Sequence, residues 1–193
     1  MSLYLIATPI GNLKDITLRA LEVLASVDLI AAEDTRTTSV LLNHYNIHSE
    51  LISYHAHNVA QRDPELMRYL QAGKHIALVS DAGTPLISDP GYSLVQHAIA
   101  ANITVIPIPG PSSLITALSV SGLRTDRFVF EGFLPHKKGA REARLKSMRN
   151  ESRTVILFES THRIVDLLEE VGQIMGESRQ IVQIGRASCR ERV

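Results

Sequence analysis

Residues 75–91 read HIALVSDAGTPLISDPG. The first five are an apolar run with the spacing of a buried strand, and the twelve that follow hold two aspartates, two glycines and two prolines. Such a string ends a strand and turns the chain, because proline fixes φ, glycine admits positive φ, and Asp and Ser bond to nearby backbone. Directly behind it, GYSLVQHAIAAN (91–102) has apolar residues at helical spacing. Strand, long turn and helix make half of a βαβ unit.

Working outward, the same unit recurs. Short apolar runs with β-branched residues stand at LYLIA (3–7), DLIAA (28–32), ELISY (50–54) and ITVIPI (103–108). Helical patterns lie between them: TLRALEVLASV, RTTSVLLNHY and NVAQRDPELMRYLQAG. Alternating strands and helices predict an α/β fold with a mostly parallel sheet, whose buried strands read as near-continuous apolar runs. GPSSLITALSVSGL (110–123) opens with a turn and a helix cap at Ser112 or Ser113. The chain then restarts with RFVFEGF, a basic helical stretch, RTVILFES, the helix THRIVDLLEEVGQIMG and, at RQIV (179–182), the opening of a further strand. A boundary is expected near Leu123–Arg127, giving domains 1–123 and 124–182, the second incomplete because it offers only about three strand candidates.

The chain has 193 residues and 45% apolar content, enough for a sizeable core. No apolar stretch reaches membrane-spanning length, and the N-terminus lacks the basic start and cleavage site of a secretory signal, which predicts a cytoplasmic protein. Residues 183–193 depart from the preceding pattern and read as a translated sequencing adapter, so they are treated as an artefactual tail. The one cysteine, Cys189, lies in that tail, which leaves no disulfide or cysteine–metal framework. Without the tail's three arginines and one glutamate, 17 basic and 19 acidic residues remain, so overall charge does not mark a nucleic-acid binder.

Three turn-rich segments, ATPIGNL, SDAGTPLISDPG and PIPGPSS, follow the first, fourth and fifth strands. Singly, each is an ordinary strand-to-helix turn. Together, at the carboxyl ends of parallel strands where α/β sheets hold their ligands, they predict a cleft. Neither G-x-G-x-x-G nor G-x-x-x-x-G-K-[ST] occurs, so a dinucleotide fold or phosphate-cradling loop has no support. Loops with exposed backbone groups and small side chains suit a neutral-to-cationic adenosyl ligand instead.

In AAEDTR, Glu33 and Asp34 stand at the end of the second strand, where either carboxylate can serve as general base if burial raises its pKa. The alternative is that Asp34 or Thr35 caps the next helix. Arg36 and Lys14 are candidates to hold a phosphate or to neutralise those acids. HKKGAREARLKSMRNESR (136–153) contains seven basic residues, among them Lys137, Lys138, Arg141 and Arg144, and is either a solvated face or an RNA-backbone contact. His44, His48, His55 and His57 complete no metal set with carboxylate or cysteine, so no metal is expected.

The combination LYLIATPIGNLKDIT, AEDTR, VSDAGTPLISDPG, PIPGPSS, FEGFLP and FESTHRI resembles the tetrapyrrole methylase superfamily, in order, over residues 3–182. Within it the pattern is similar to the bacterial enzymes that methylate a cytidine ribose in small-subunit ribosomal RNA. The sequence departs from the family pattern at Ser160-Thr161, where a small residue and a proline are usual. The resemblance implies a two-domain methyltransferase that binds S-adenosylmethionine, acts as a homodimer, and has a mixed sheet in its C-terminal domain. It implies that Asp81, Ala82, Gly83 and Thr84 lie closest to the cofactor, with Ser88, Asp89, Pro90 and Gly91 supporting the turn. Pro9 and Gly11 form a second wall and Pro109, Gly110, Ser112 and Ser113 a third, while Gly132, Phe133, Leu134, Phe158, Glu159 and Ser160 contribute from the second domain. His162 and Arg163 are watched for a substrate or structural role. A tetrapyrrole carbon methyltransferase shares the fold and cofactor, and an inactive cofactor-binding fragment is a third reading.

Overall fold

A computed structural model describes residues 1–185 of the chain, and the expected tail falls outside them from Arg186 onward. The chain divides into two compact units, Met1–Ser113 and Leu114–Gly185, ahead of the break expected after Leu123.

In the first unit five strands form one parallel sheet: β1 (Ser2–Ile6), β2 (Leu29–Ala32), β3 (Leu51–Ser53), β4 (His75–Val79) and β5 (Thr104–Ile108), in the order β3-β2-β4-β1-β5. Four helices connect them: α1 (Leu18–Ser26), α2 (Thr35–His44), α3 (Val59–Gln71) and α4 (Tyr92–Ala100). Alternation along each strand divides the core in two. Ile6, Ile30, Ala32, Ala77 and Val79 pack with Ala20, Leu24, Leu41 and Leu42 of α1 and α2. Leu3, Leu29, Ala31, Ile76 and Leu78 pack with Leu66, Leu70, Leu94 and Ala98 of α3 and α4.

The strand order explains this segregation. The connections β1→β2→β3 step along the sheet one way and β3→β4→β5 the other, and right-handed crossovers then place their helices on opposite faces. The direction therefore reverses between β4 and its neighbours β1 and β2. At that switch point the outgoing loops diverge to the two faces and leave a crevice beyond the strands' carboxyl ends.

Local chemistry fixes the helix starts. Thr17 caps α1 by accepting from the Ala20 amide at 3.1 Å, and Asp34 caps α2 by accepting from the Arg36 amide at 2.8 Å. Tyr54, fully buried just after β3, donates to the buried Asp63 carboxylate of α3 at 2.7 Å. That bond satisfies both polar groups in an otherwise apolar interior.

The second unit contains α5 (Ser113–Val120), which starts at the boundary, then β6 (Phe128–Phe133), α6 (Lys138–Ser147), β7 (Thr154–Phe158) and α7 (Ile164–Met175). Leu145 and Met148 meet Leu167 and Val171 over Val155 and Leu157 of the sheet. Among the described residues this sheet has two strands paired in parallel, with a register shift between Phe130 and Gly132, rather than the mixed arrangement expected. The stretch 179–182, expected to open a further strand, is irregular. None of the described helices is long and apolar enough to cross a membrane.

Candidate active site

The loops leaving β1 and β4 are clasped by their own backbone. Thr8 and Gly83 exchange two amide–carbonyl bonds of 2.9 Å, an antiparallel bridge between two parallel strands' extensions. The Thr8 hydroxyl donates to the Ser80 carbonyl at 3.0 Å, and Thr84 donates to the Pro111 carbonyl in the loop after β5 at 3.2 Å. Two glycines permit this closeness. A Cβ on Gly110 would lie 3.0 Å from Ala7 Cβ and 3.3 Å from its carbonyl oxygen, so the β5 loop approaches β1 only without a side chain. Gly91 has φ +131°, and a Cβ there would come within 2.7 Å of a Leu78 methyl.

Between Gly83 and Gly91 the SDAGTPLISDPG loop carries Leu86 at φ 72° and Ser88 at φ 69°. Left-handed backbone is costly for residues with a Cβ, most of all for a bulky one, so the surroundings hold the loop in one shape. That shape returns Asp89 to the end of the strand that Asp81 leaves.

The result is a convergence of carboxylates at the switch point. Asp81 Oδ1 accepts from the Asp34 amide at 3.0 Å, and the Asp81 amide donates to Glu33 Oε2 at 3.5 Å. Burial, and then the nearby charge of Asp81, pushes the Glu33 carboxyl above its ordinary pKa. Asp89 is pushed up to about 6, again by burial first and then by Glu33. Asp34 behaves oppositely. Its hydrogen bonds from the Arg36 side chain, 2.7–3.2 Å, and then from the Arg36 amide hold it at about 2. Asp34 thus caps α2 and is paired with Arg36, whereas the Glu33 carboxyl is shifted toward the basicity that a proton acceptor needs.

The remaining residues of the first unit occupy the same edge. Pro9 and Gly11 lie in the loop after β1, Ala82 and Thr84 in the β4 loop, and Pro109, Ser112 and Ser113 after β5; Lys14 is exposed in a short 3-10 turn, Leu13–Asp15. The sequence missed Thr8, which draws two loops together, because a lone threonine in a turn carries no pattern. His55 and His57 have ring centroids 6.0 Å apart, and no group of three or more metal-ligating residues occurs among the described residues.

In the second unit, Gly132 takes φ 66° at the strand irregularity, and Phe133 and Phe130 meet Phe158 edge-on at 5.6 and 5.0 Å. Glu159 is held by two bonds from Arg163, 2.8 and 2.7 Å, and Arg163 also reaches the His136 ring and the Leu134 carbonyl. Arg163 therefore ties the FEGFLPH and FESTHR segments together. Ser160 shapes the turn by accepting from the Arg163 amide at 3.1 Å, while His162 is exposed.

The basic stretch does not act as a unit. Arg141 is buried and donates to both oxygens of Glu170, at 2.6 and 2.7 Å, and to the His136 carbonyl. It is a packing residue rather than an RNA contact. Arg144 is committed to Glu131, while Lys137 and Lys138 remain exposed at the start of α6.

Residues 2–193 match the family model of the tetrapyrrole (corrin/porphyrin) methylases. The chain belongs to this family. It is 57% identical over 180 residues to the ribosomal RNA small subunit methyltransferase I of Escherichia coli O157:H7, covering 93% of this chain and 63% of that protein. It is also 57% identical over 179 residues to the protein of the same name in Synechocystis, covering 93% and 64%. The chain thus spans a little under two thirds of the relatives it matches. Among solved structures, a diphthine synthase superposes with TM-score 0.73 over 90% of this chain and 73% of that one, and the uroporphyrin III C-methyltransferase of Thermus thermophilus with 0.63 over 93% and 79%. Both are 16% identical, which shows that this methylase-family chain shares their fold.

Proposed function

We propose that the protein is an S-adenosylmethionine-dependent methyltransferase acting on the ribose 2'-hydroxyl of a cytidine in 16S ribosomal RNA near the decoding centre. It works in the cytoplasm as a homodimer with the small ribosomal subunit or its RNA as substrate. The observation that carries this reading is 57% identity over 180 residues to relatives named as small-subunit ribosomal RNA methyltransferases. No observation favours a tetrapyrrole carbon as acceptor, since the uroporphyrin enzyme shares only the fold.

The residues present fit the cofactor. Its sulfonium and ammonium groups are cationic, and Glu33, Asp81 and Asp89 converge where a cation is favoured, while Arg36 is occupied by Asp34. The glycines at 83 and 110 keep the loops small-walled, and backbone groups of residues 81–84 and 109–113 offer donors and acceptors to the ribose and purine. When bound, that group supplies an electrophilic methyl carbon.

The chain's own part is to hold the ribose hydroxyl in place, exclude water and remove its proton. Glu33 accepts that proton on a carboxylate oxygen, its basicity raised by burial and by Asp81. In the second unit, Gly132, Phe133, Phe158 and Glu159 are the residues assigned to cofactor binding, and Lys14, Lys137 and Lys138 contact RNA phosphates.

Isothermal titration of S-adenosylmethionine tests the reading, with Asp81→Ala in parallel and methyl transfer to small ribosomal subunits as second readout. Binding lost in the variant, together with transfer, supports it. A folded protein that does not bind the cofactor overturns it.

A further inference from the structure

The amino-terminal end of the β6–β7 sheet, opposite Phe133 and Phe158, opens on a cavity of about 570 Å³ lined by Asp126, Arg127, Phe128, Ser152 and Arg153. That volume lies within the range of small-ligand sites. We infer that it holds one unpaired nucleotide of an RNA strand, the base against Phe128 and the phosphate on Arg127. This rests on the reading of RNA as substrate and adds a second contact, at the other end of β6 and β7 from Phe133 and Phe158.

The charges decide the kind of occupant. Arg153 is engaged by both oxygens of Glu151, at 2.9 and 2.6 Å, and Asp126 by Arg124, at 3.2 and 3.1 Å. Arg127 makes no hydrogen bond or ion pair among the described residues. The Asp126 carboxylate faces the cavity too; Arg124 holds it by two hydrogen bonds and Arg127 adds a weaker, unbonded attraction, so Arg127 is the cavity arginine whose donors remain open to an anion. Phe128 is 37% exposed beside it, an uncovered aromatic face. An apolar partner seated here would strip water from Arg127 without compensation, whereas a nucleotide supplies a phosphate for the guanidinium and a flat base for the ring. Ser152 adds a hydroxyl suited to a base edge or sugar.

Fluorescence anisotropy with a labelled ten-residue oligocytidylate, over a range of salt concentrations, tests this on the 193-residue chain. Arg127→Ala and Phe128→Leu are each expected to weaken binding about fivefold or more. Arg127→Ala should also lower the slope of log affinity against log salt by about 0.7, while Phe128→Leu leaves it unchanged. Phe128→Tyr keeps the ring and should retain binding, which separates stacking from loss of fold. Unchanged affinity in both single variants overturns the site, as does an effect of Arg127→Ala alone, which marks a solvated surface cation. Cofactor titration on the same samples keeps the two readings apart: variants that bind cofactor normally but show no RNA effect remove the nucleotide site and leave the methyltransferase standing.

Discussion

The two units use charge in opposite ways. At the carboxyl edge of the first, Glu33, Asp81 and Asp89 converge, and Glu33 and Asp89 are held above the ordinary carboxyl range mainly by burial. In the second, the arginines at 141, 144, 153 and 163 meet Glu170, Glu131, Glu151 and Glu159 in close pairs. Charges crowded against their own preference are costly, and such groups concentrate where a ligand or proton is to be received. Matched pairs mark scaffold. A count of basic residues does not separate arginines held in such pairs from cations left open.

The strongest way to break this contrast is to disturb the backbone that holds the acidic edge. Gly91→Val adds a Cβ against Leu78 at positive φ and should cost about 3 kcal/mol or more in urea denaturation. A loss under about 1 kcal/mol would mean that the loop yields freely and does not hold Asp89 in place. Next, Arg141→Ala leaves the buried Glu170 carboxylate without its partner and should cost about 2 to 3 kcal/mol. Replacing both by Met and Leu should recover most of that loss, whereas a persisting deficit would show the charges are needed as such.

Asp89→Asn sharpens the other half of the comparison. With its folded pKa at about 6, above the roughly 4 of an unfolded aspartate, the native state binds more protons between those values. Stability therefore falls as pH rises from about 4 to about 6 and levels off above. The variant should flatten that fall and be more stable at pH 8 by about 1 kcal/mol once solvent screening is allowed for, read as a melting temperature a few degrees higher. The smallest effect is Lys138→Ala, within about 0.5 kcal/mol in stability, but expected to lower the salt slope of RNA binding by about 0.7 to 1.

Much of the fold was legible in the sequence. Each apolar run of the first unit became a strand within a residue or two, because buried parallel strands leave a strong continuous signal. The switch-point loops were legible for the same reason, since punctuation by Gly, Pro and Asp follows each strand. What escaped depends on distant partners. Arg141 looked like its basic neighbours, and only Glu170, 29 residues later, makes it a packing residue. AEDTR left two roles open for Asp34, and the capping bond to the Arg36 amide shows that it fills one of them. The strand expected at 179–182 has the composition of one and is irregular all the same, since composition alone does not make a strand.

The Thr8–Gly83 bridge has one more consequence. Loop amides ordinarily exchange their hydrogens with solvent quickly, since nothing holds them closed. These two are each bonded to the other residue's carbonyl, on the extensions of neighbouring central strands. Their exchange should keep pace with that of the β1 and β4 amides, so that the floor of the site opens only when the sheet itself does.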